Sequence, residues 1–350
     1  MVALEIESVL VAGRGPAACA VVSACTRLGV KAVAVHSETE RSARHVRLAD
    51  DAVLLGPAAA SESYLAVDRI VEAARRSGVR AVLPVTPALA GNARLAAAVA
   101  AAGLLWVGPD AEVLERLGGD GVEPASESGF LAWVTAEGLR YVTPVVRDRA
   151  AGIARVSWTP EDWAAGGTLD LPVSARRLAE VGWRGLVTVG IAPDGELAEV
   201  AAGFSLDIAV LERAHGVDAV ELALSSTETT GSALPGGPTP RAAVAAQLRA
   251  TLAPGTAGRI RGRLPSGSRP GAGTDVDVVS VSGFDPGDRL DGWYDALLAT
   301  VSAAGPDTRA AAAAVLAVLG AVPDVGVPHD GADTSAVLDR LAVGSGVPAG

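Results

Sequence analysis

The chain has 350 residues, of which 49% are apolar and only 3% are aromatic, and its formal net charge is −11. Binding to nucleic acid or to an anionic membrane requires a basic surface. Because the chain is strongly acidic, we expect neither as a partner. The apolar runs are shorter than the roughly 20 residues that cross a bilayer, and Glu5 and Glu7 stand where a basic targeting leader would lie. These features predict a cytoplasmic protein.

The first 118 residues alternate between strand and helix patterns. In chain order, strands are predicted at Ser8–Ala12, Lys31–Val35, Ala52–Leu55, Val79–Pro84 and Leu104–Val107, and helices up to Leu28, at Ser61–Ser77 and at Asn92–Ala102. Gly29 and Gly78 follow two of these helices, at the position where glycine commonly ends a helix. The alternation predicts a parallel sheet with right-handed crossovers. The turn Gly13-Arg14-Gly15-Pro16 lacks the third glycine of a dinucleotide-binding motif, so we predict a tight turn rather than a nucleotide site there.

Two segments rich in turn-forming residues divide the rest of the chain. Residues 118–129 and 229–240 predict linkers, so the expected units are residues 1–118, 119–228 and 229–343, followed by a tail at 344–350. The second unit is expected to hold strands at Leu139–Val146 and Leu186–Ile191, a helix at Ser174–Val181 and a hairpin turn at Asp194-Gly195. The third is expected to end with helices at Trp293–Ala303 and Thr308–Leu319.

Residues 44–74 carry the most specific motif in the chain. It begins with Arg-His-Val-Arg-Leu-Ala-Asp-Asp-Ala-Val and continues, from residue 63, with Ser-Tyr-Leu-Ala-Val-Asp-Arg-Ile. This segment closely resembles the N-terminal domain of the biotin carboxylases, a family that uses ATP and bicarbonate to carboxylate biotin. Weaker resemblances to the family follow in the same order along the chain, at residues 34–37, 103–109, 179–188, 216–220 and 292–299.

The resemblance implies an α/β fold with three parts. These are a Rossmann-like pre-ATP-grasp domain at residues 1–118, an ATP-grasp core at 119–228 and a biotin-carboxylase C-terminal-like α+β domain at 229–343. In the family a glycine-rich lid covers ATP between the first two parts. Here Gly121 leads almost directly to Leu139–Asp148, which resembles the strand beyond the lid, so we expect a truncated core without a lid. Without a lid, the phosphates of ATP lose their backbone cradle and the site cannot exclude water.

The charged positions of the family are altered as well. The family holds Mg²⁺ with two carboxylates, of which the first falls at Gly190. The second falls at Glu199 when counted back from residues 216–218, or at Ala201 when counted forward from residues 194–195, so Glu199 is at most a residual ligand. By the backward count, the family's Asn, Arg and general-base Glu become Ala201, Gly203 and Asp207. A further catalytic Arg aligns with Gln247, whose neutral amide cannot supply the charge that stabilises an oxyanion.

We interpret these differences as a loss of catalysis, and we expect no catalytic residue, no metal site and no cofactor. The resemblance then implies a structural or regulatory subunit of an acyl-CoA carboxylase complex, in contact with biotin carboxylase, biotin carrier or carboxyltransferase chains. The candidate interface is the first helix, where two Arg and a Glu of the family's dimer helix are replaced by Ala20, Ser23 and Arg27. The alternative is an ATP-dependent biotin carboxylase or ligase with a reduced site, which would bind ATP and Mg²⁺. A small-molecule sensor is a third hypothesis, disfavoured by the few convergent polar groups.

Overall fold

The computed structural model describes residues 6–117, 124–163, 171–227, 239–253, 255–270 and 275–344. These residues form a five-stranded parallel sheet, a nine-stranded antiparallel sheet and a small two-stranded sheet, with helices packed against the two larger ones. The mixed α/β architecture agrees with the class predicted from the sequence. Beyond Gly344, the predicted tail lies outside the described residues.

The N-terminal unit is the parallel sheet with its helices. Its elements are, in chain order, β1 (Ser8–Ala12), α1 (Gly15–Leu28), β2 (Lys31–Ser37), α2 (Arg44–Leu48), β3 (Asp51–Gly56), α3 (Val67–Ser77), β4 (Ala81–Pro84), α4 (Pro87–Ala90), α5 (Ala93–Ala101), β5 (Leu105–Trp106) and α6 (Ala111–Leu117). The strand order is β3-β2-β1-β4-β5, and all neighbours run parallel. Strands such as β1 are buried on both faces, which is typical of a parallel sheet covered by helices on both sides.

The predicted helix at Ser61–Ser77 is wrong in its first turns. Residues 60–62 form a single 3₁₀ turn, and the α-helix begins only at Val67. Ser63 has φ −140° and ψ −97°, which breaks the helical path. The chain turns there because Tyr64 is buried and its hydroxyl donates to Glu40 Oε2 over 2.6 Å. A tertiary contact therefore overrides the helical pattern.

The rest of the chain builds the antiparallel sheets. Its elements are β6 (Ser128–Thr135), β7 (Gly138–Ala150), β8 (Ile153–Trp158), α7 (Val173–Arg176), β9 (Gly185–Ile191), β10 (Leu197–Ala201), α8 (Leu206–His215), α9 (Ala219–Ser225), β11 (Ala242–Arg249), β12 (Gly258–Arg259), β13 (Gly267–Pro270), β14 (Asp277–Ser282), β15 (Arg289–Leu290), β16 (Leu297–Gly305), α10 (Thr308–Gly320) and α11 (Gly331–Val343). The nine-stranded order is β10-β9-β6-β7-β8-β11-β16-β14-β13, and β12 pairs with β15.

The large sheet continues through the second and third predicted units. Strand β11 pairs antiparallel with β8 on one side and with β16 on the other. Helix α8 packs across β7, β8, β11 and β16 on one face. Its apolar side chains belong to the same buried cluster as those of β1 and β4 in the N-terminal unit. The two large sheets therefore share one core rather than facing each other across an open space.

Two further helix predictions are wrong in extent or kind. Residues 297–303, predicted as part of a helix at Trp293–Ala303, lie in β16, and residues 293–296 lie in the preceding turn. Strand β16 is hydrogen-bonded on both edges and its small apolar side chains are buried on both faces, so periodicity cannot distinguish it from a buried helix. At Ser174–Val181 only Val173–Arg176 is helical, and the chain then turns to bury Trp183.

The first predicted linker is shorter than expected. Residues 128–129 already belong to β6, a strand that the sequence analysis missed, while residues 118–123 lie outside the described part of the chain. Most of the second linker, up to residue 238, also lies outside it. Among the described residues, no helix combines the length and the apolar character that crossing a bilayer requires.

Candidate functional site

The two candidate metal positions lie on the hairpin of β9 and β10. Glu199 is directly opposite Gly190, whereas Ala201 is opposite Thr188. The Glu199 carboxylate accepts from Ser126 Oγ over 2.8 Å, and its Oε2 would lie 2.3 Å from a Cβ added to Gly190. Of this facing pair, only Glu199 carries a carboxylate, because position 190 is a glycine. Since Mg²⁺ prefers several charged oxygen ligands, this hairpin does not fit the metal that the family resemblance implies.

Gly203 follows β10 and lies against the N-terminal unit. Its φ is +92°, and a Cβ at this position would be 2.8 Å from Ala90 Cβ and 3.2 Å from Pro87 N. The next residue, Phe204, donates its backbone N–H to Val85 O over 2.8 Å. We call this meeting of residues 84–90 with residues 201–204 the central contact. It has no room for a side chain at position 203.

A cavity of only 20 Å³ remains beside the central contact. It is lined mainly by apolar and glycine residues, namely Leu83, Pro84, Ala90, Val107, Gly108, Pro109, Gly185, Leu186, Ala202, Gly203, Phe204 and Ala223. Pockets that bind small molecules usually enclose about 300–1,000 Å³. This cavity has room for about one water molecule, so it cannot admit a nucleotide or a biotin ring.

Asp207 is buried in the first turn of α8 and is fully engaged by neighbouring side chains. Its Oδ2 accepts from Arg147 Nε over 2.8 Å, and its Oδ1 accepts from Ser157 Oγ over 2.6 Å. Arg147 also donates to the carbonyl oxygens of Ser126 and Val189. Both oxygens of the Asp207 carboxylate therefore accept hydrogen bonds within the chain, and the side chain is only 3% exposed.

Gln247 is buried on β11, where the structure places an arginine beside it. Arg249 lies two residues along the strand, so both side chains are on the same face of the sheet. Gln247 Oε1 accepts from Arg249 Nε over 2.9 Å and from Nη2 over 2.6 Å, and Arg249 Nη1 is paired with Asp295. The sequence analysis missed Arg249, because residues 242–249 were not predicted as a strand. The guanidinium charge is present near position 247 but is held by an amide and a carboxylate.

The candidate interface residues lie along α1, with different degrees of exposure. Ala20 and Ser23 are half-buried, and Ser23 Oγ donates to Cys19 O within the helix. Arg27 is exposed over 64% of its side chain, yet its Nη2 lies 2.7 Å from Asp218 Oδ2 at the N-terminus of α9. The face presented at these positions therefore combines two small side chains with a charge that is already paired within the chain.

Arg14 joins the N-terminal unit to the C-terminal part of the chain. Its guanidinium donates to Glu40 over 2.8 Å, lies 4.7 Å from the centre of the Tyr294 ring and donates to Asp295 O. Burial raises the pKa of Glu40 whereas Arg14 lowers it, and the net pKa is below the ordinary value. Tyr64, which donates to the same carboxylate, packs edge-on against Tyr294. The arginine that follows the first strand is thus used for internal packing.

Glu212 lies on α8. Burial raises its pKa from 4.5 to about 7, although a hydrogen bond from the Ala219 N–H and the positive charges of Arg213 and Arg27 lower the pKa. The folded chain then keeps a proton that the unfolded chain loses between pH 4.5 and 7, so its stability falls as the pH rises through this window. Glu212→Gln retains an acceptor for the Ala219 N–H. We expect it to increase the free energy of unfolding above pH 7 by about 2 kcal/mol.

Urea denaturation across this pH range measures the effect of Glu212→Gln. At pH below 4.5 the variant and the parent chain should have equal stability, because Glu212 is then protonated in both folded and unfolded states. Identical pH dependence in the two proteins would contradict the assignment.

Among the described residues, no group of three or more His, Cys, Asp and Glu side chains is arranged to hold a metal ion. The structure brings Glu199, Ser126, Arg147 and Asp207 into one hydrogen-bonded series. Gln247 belongs to a separate group with Arg249 and Asp295. Asp207 and Glu199 therefore belong to one hydrogen-bonded cluster and Gln247 to another. Gly203 lies in neither cluster and is packed against Ala90 and Pro87.

The N-terminal part of this chain matches a known family. A family model described as the biotin carboxylase N-terminal domain matches residues 5–114. The mitochondrial propionyl-CoA carboxylase alpha chain of Sus scrofa is 42% identical over 112 residues, which are 32% of this chain and 15% of that protein. A biotin carboxylase of Pseudomonas aeruginosa is 40% identical over 150 residues, which are 43% of this chain and 33% of that protein. This chain thus covers a third or less of each of these relatives.

Solved structures match nearly the whole chain. Biotin carboxylase from Campylobacter jejuni, in a complex with beta-gamma-ATP, has a TM-score of 0.77 at 16% identity, covering 98% of this chain and 97% of that one. A multifunctional pyruvate carboxylase from Rhizobium etli has a TM-score of 0.77 at 20% identity, covering 97% of this chain and 40% of that one. At such low identity these likenesses establish a common fold and carry no information on activity.

Proposed function

Because this chain belongs to the biotin carboxylase family through residues 5–114 and has the fold of these enzymes, we propose that it is a non-catalytic member of the family. It acts as a structural or regulatory subunit of an acyl-CoA carboxylase complex. Its partners are then the biotin carboxylase, biotin carrier or carboxyltransferase chains of that complex, and it needs neither ATP nor Mg²⁺.

The observation that carries this proposal is the central contact. The family resemblance puts a catalytic Arg at position 203, where the chain has a glycine packed against Ala90 and Pro87. The cavity beside this glycine encloses 20 Å³. An enzyme must hold its reactants in contact with its catalytic groups, and the central contact offers neither the volume nor the arginine for that.

The chain between α6 and β6 supports the absence of a lid. Only residues 118–127 separate the two elements. A segment this short is far below the roughly 40 residues that a separate folded domain usually needs. A bound nucleotide at the edge of the large sheet would therefore have no covering domain from this part of the chain.

The names of the relatives support the proposed partner chains. One is the alpha chain of a propionyl-CoA carboxylase, and another structure with this fold is a single-chain, multi-domain long-chain acyl-CoA carboxylase. The second name describes a chain in which several domains are joined. A chain that keeps the fold and lacks a usable site retains the means to make such contacts.

Affinity purification of the tagged full chain from its native host tests the proposal. We expect near-stoichiometric recovery of a biotin-containing or carboxyltransferase chain. Ala20→Arg enlarges the half-buried face of α1 and is expected to reduce this recovery by about tenfold or more, since a buried clash costs over 1.4 kcal/mol. Arg76→Glu, an exposed change in the last turn of α3, serves as the matched control. Recovery of the chain alone, with no carboxylase subunit, would exclude the proposed role.

A second candidate is an ATP-dependent biotin carboxylase or ligase with a reduced site. Two groups favour it, namely the Glu199 carboxylate on β10 and the Arg249 guanidinium beside Gln247. A ligand that binds only the folded state raises the melting temperature. A melting temperature that is unchanged by saturating Mg-ATP, in an assay where an active biotin carboxylase shows a shift, rejects this candidate.

A further inference from the structure

A groove of 580 Å³ lies between α2 of the N-terminal unit and the C-terminal part of the large sheet. It is separate from the central contact, and its volume falls within the range of about 300–1,000 Å³ that small-molecule sites usually have. Its lining residues come from α2, from residues 263–268, from the end of β14 with the turn after it, and from the end of α10.

The groove is lined by two arginines, of which one has no counter-charge in the part of the chain that the structure describes. Arg44 Nη1 pairs with Asp285 and Nη2 donates to Ser266 Oγ, but its Nε is buried without a hydrogen-bond partner. Arg263 is exposed at the rim, and no hydrogen bond or ion pair joins its side chain to the part of the chain that the structure describes. Arg263 thus brings an unpaired guanidinium to the groove, and Arg44 brings one that Asp285 and Ser266 already hold.

Among the described residues that line the groove, the one carboxylate is already neutralised. Asp285 is paired with Arg44 and also with Arg47, which in turn contacts Asp288. Arg263 therefore leaves a net positive charge at the rim of a groove in a chain whose overall charge is −11. A ligand drawn to this position is an anion.

Part of the groove lining is apolar. It includes the buried side chains of Leu264 and Phe284, Val318 of α10, and Val322, which follows this helix. Such a surface stabilises a hydrocarbon group by removing it from water. The groove thus presents a charged end and an apolar side to the same ligand.

We infer that this groove binds a small amphipathic anion, with its carboxylate or phosphate group on Arg263 and Arg44 and its hydrocarbon part along Leu264, Phe284 and Val322. This inference goes beyond the proposed function and does not depend on it. The carboxylate and phosphate ligands that fit the groove have the same general structure, an oxyanion joined to a short apolar chain.

Isothermal titration calorimetry on the full chain tests the inference with three probes, namely octanoate, 1-octanol and inorganic phosphate. Octanoate carries both features, octanol only the apolar chain and phosphate only the charge. We expect octanoate to bind about tenfold or more tightly than either of the others, since a charge-assisted hydrogen bond and hydrocarbon burial each contribute at least the roughly 1.4 kcal/mol that corresponds to tenfold. Equal binding of octanoate and octanol, or no binding of octanoate at millimolar concentration, overturns the inference.

Variants locate the site. Arg263→Met should reduce the affinity for octanoate to about that for octanol, whereas Arg261→Met, an exposed arginine outside the groove, should leave it unchanged. Ala321 lines the groove and is exposed, so Ala321→Glu should weaken octanoate binding and Ala321→Lys should strengthen it. Octanoate affinity that is the same in all four variants would show that the probe binds elsewhere and would overturn the inference. Recovery of carboxylase subunits is a separate readout, so failure here leaves the proposed function untouched.

Discussion

Replacing Arg147 with Met is expected to lower the free energy of unfolding by about 3–5 kcal/mol, as measured by urea denaturation. Arg147 and Asp207 are each 3% exposed, and the substitution leaves the Asp207 carboxylate buried without its counter-charge. The hydroxyl of Ser157 still donates to Asp207, but the carbonyl oxygens of Ser126 and Val189 lose their donors. A buried charge without a partner is far costlier than a lost pair of exposed charges.

Two further variants separate this effect from a general loss of packing. The double variant Arg147→Met with Asp207→Leu removes both charges and should recover most of the lost stability, because a buried pair contributes little beyond an apolar replacement. Arg155→Met breaks a more exposed pair with Asp148 and should cost at most about 1 kcal/mol. A double variant no more stable than Arg147→Met would show that the ion pair is not the cause.

Gly203→Ala is expected to lower the free energy of unfolding by about 3–4 kcal/mol. A non-glycine residue in the left-handed region costs about 1–2 kcal/mol, and forcing a methyl group into a packed site adds about 1–3 kcal/mol. The added Cβ would lie 2.8 Å from Ala90 Cβ, a distance that requires the two segments of the central contact to move apart. The same denaturation assay measures the loss.

Gly195→Ala is the matched control for the backbone. Gly195 has φ +86° in the β9–β10 turn, but nothing lies within 4 Å of an added Cβ, so it should lose only the backbone contribution. Adding Ala90→Gly to Gly203→Ala should restore the part of the loss that comes from the contact with Ala90 Cβ. If Gly203→Ala and Gly195→Ala were equally destabilising, the central contact would be open in solution, and the argument against a substrate site would fail with it.

The N-terminal unit was predictable from the sequence because its signals are local. Strand β1, the helix that ends before Gly29 and the helix that ends before Gly78 are all confirmed, and both glycines have positive φ. The elements of the antiparallel part were harder to predict from the sequence, and β8, α8, α9 and β11 were not predicted. The neighbours of a strand such as β16 are distant in the sequence, and those neighbours, rather than its own residues, decide that it is extended.

The candidate site shows the same division. The positions of Gly190, Glu199, Gly203 and Asp207 were predicted by resemblance, but their partners were not. Arg147 meets Asp207 across 60 residues of sequence, and no local pattern indicates such a pair. The likeness of the segment to a known motif identified which residues to inspect, while only the packing showed that each one is already engaged.

The continuity of the large sheet has a consequence for synthesis of the chain. Strand β8 pairs with β11, although residues 153–158 and 242–249 are far apart in the sequence. At about 5–20 residues per second, a ribosome completes β8 on the order of 5–20 seconds before β11. During that interval the nascent chain exposes an unpaired strand edge, which is a template for aggregation. The pairing of β8 with β11 is therefore a step of sheet formation that waits until the third predicted unit has been synthesised.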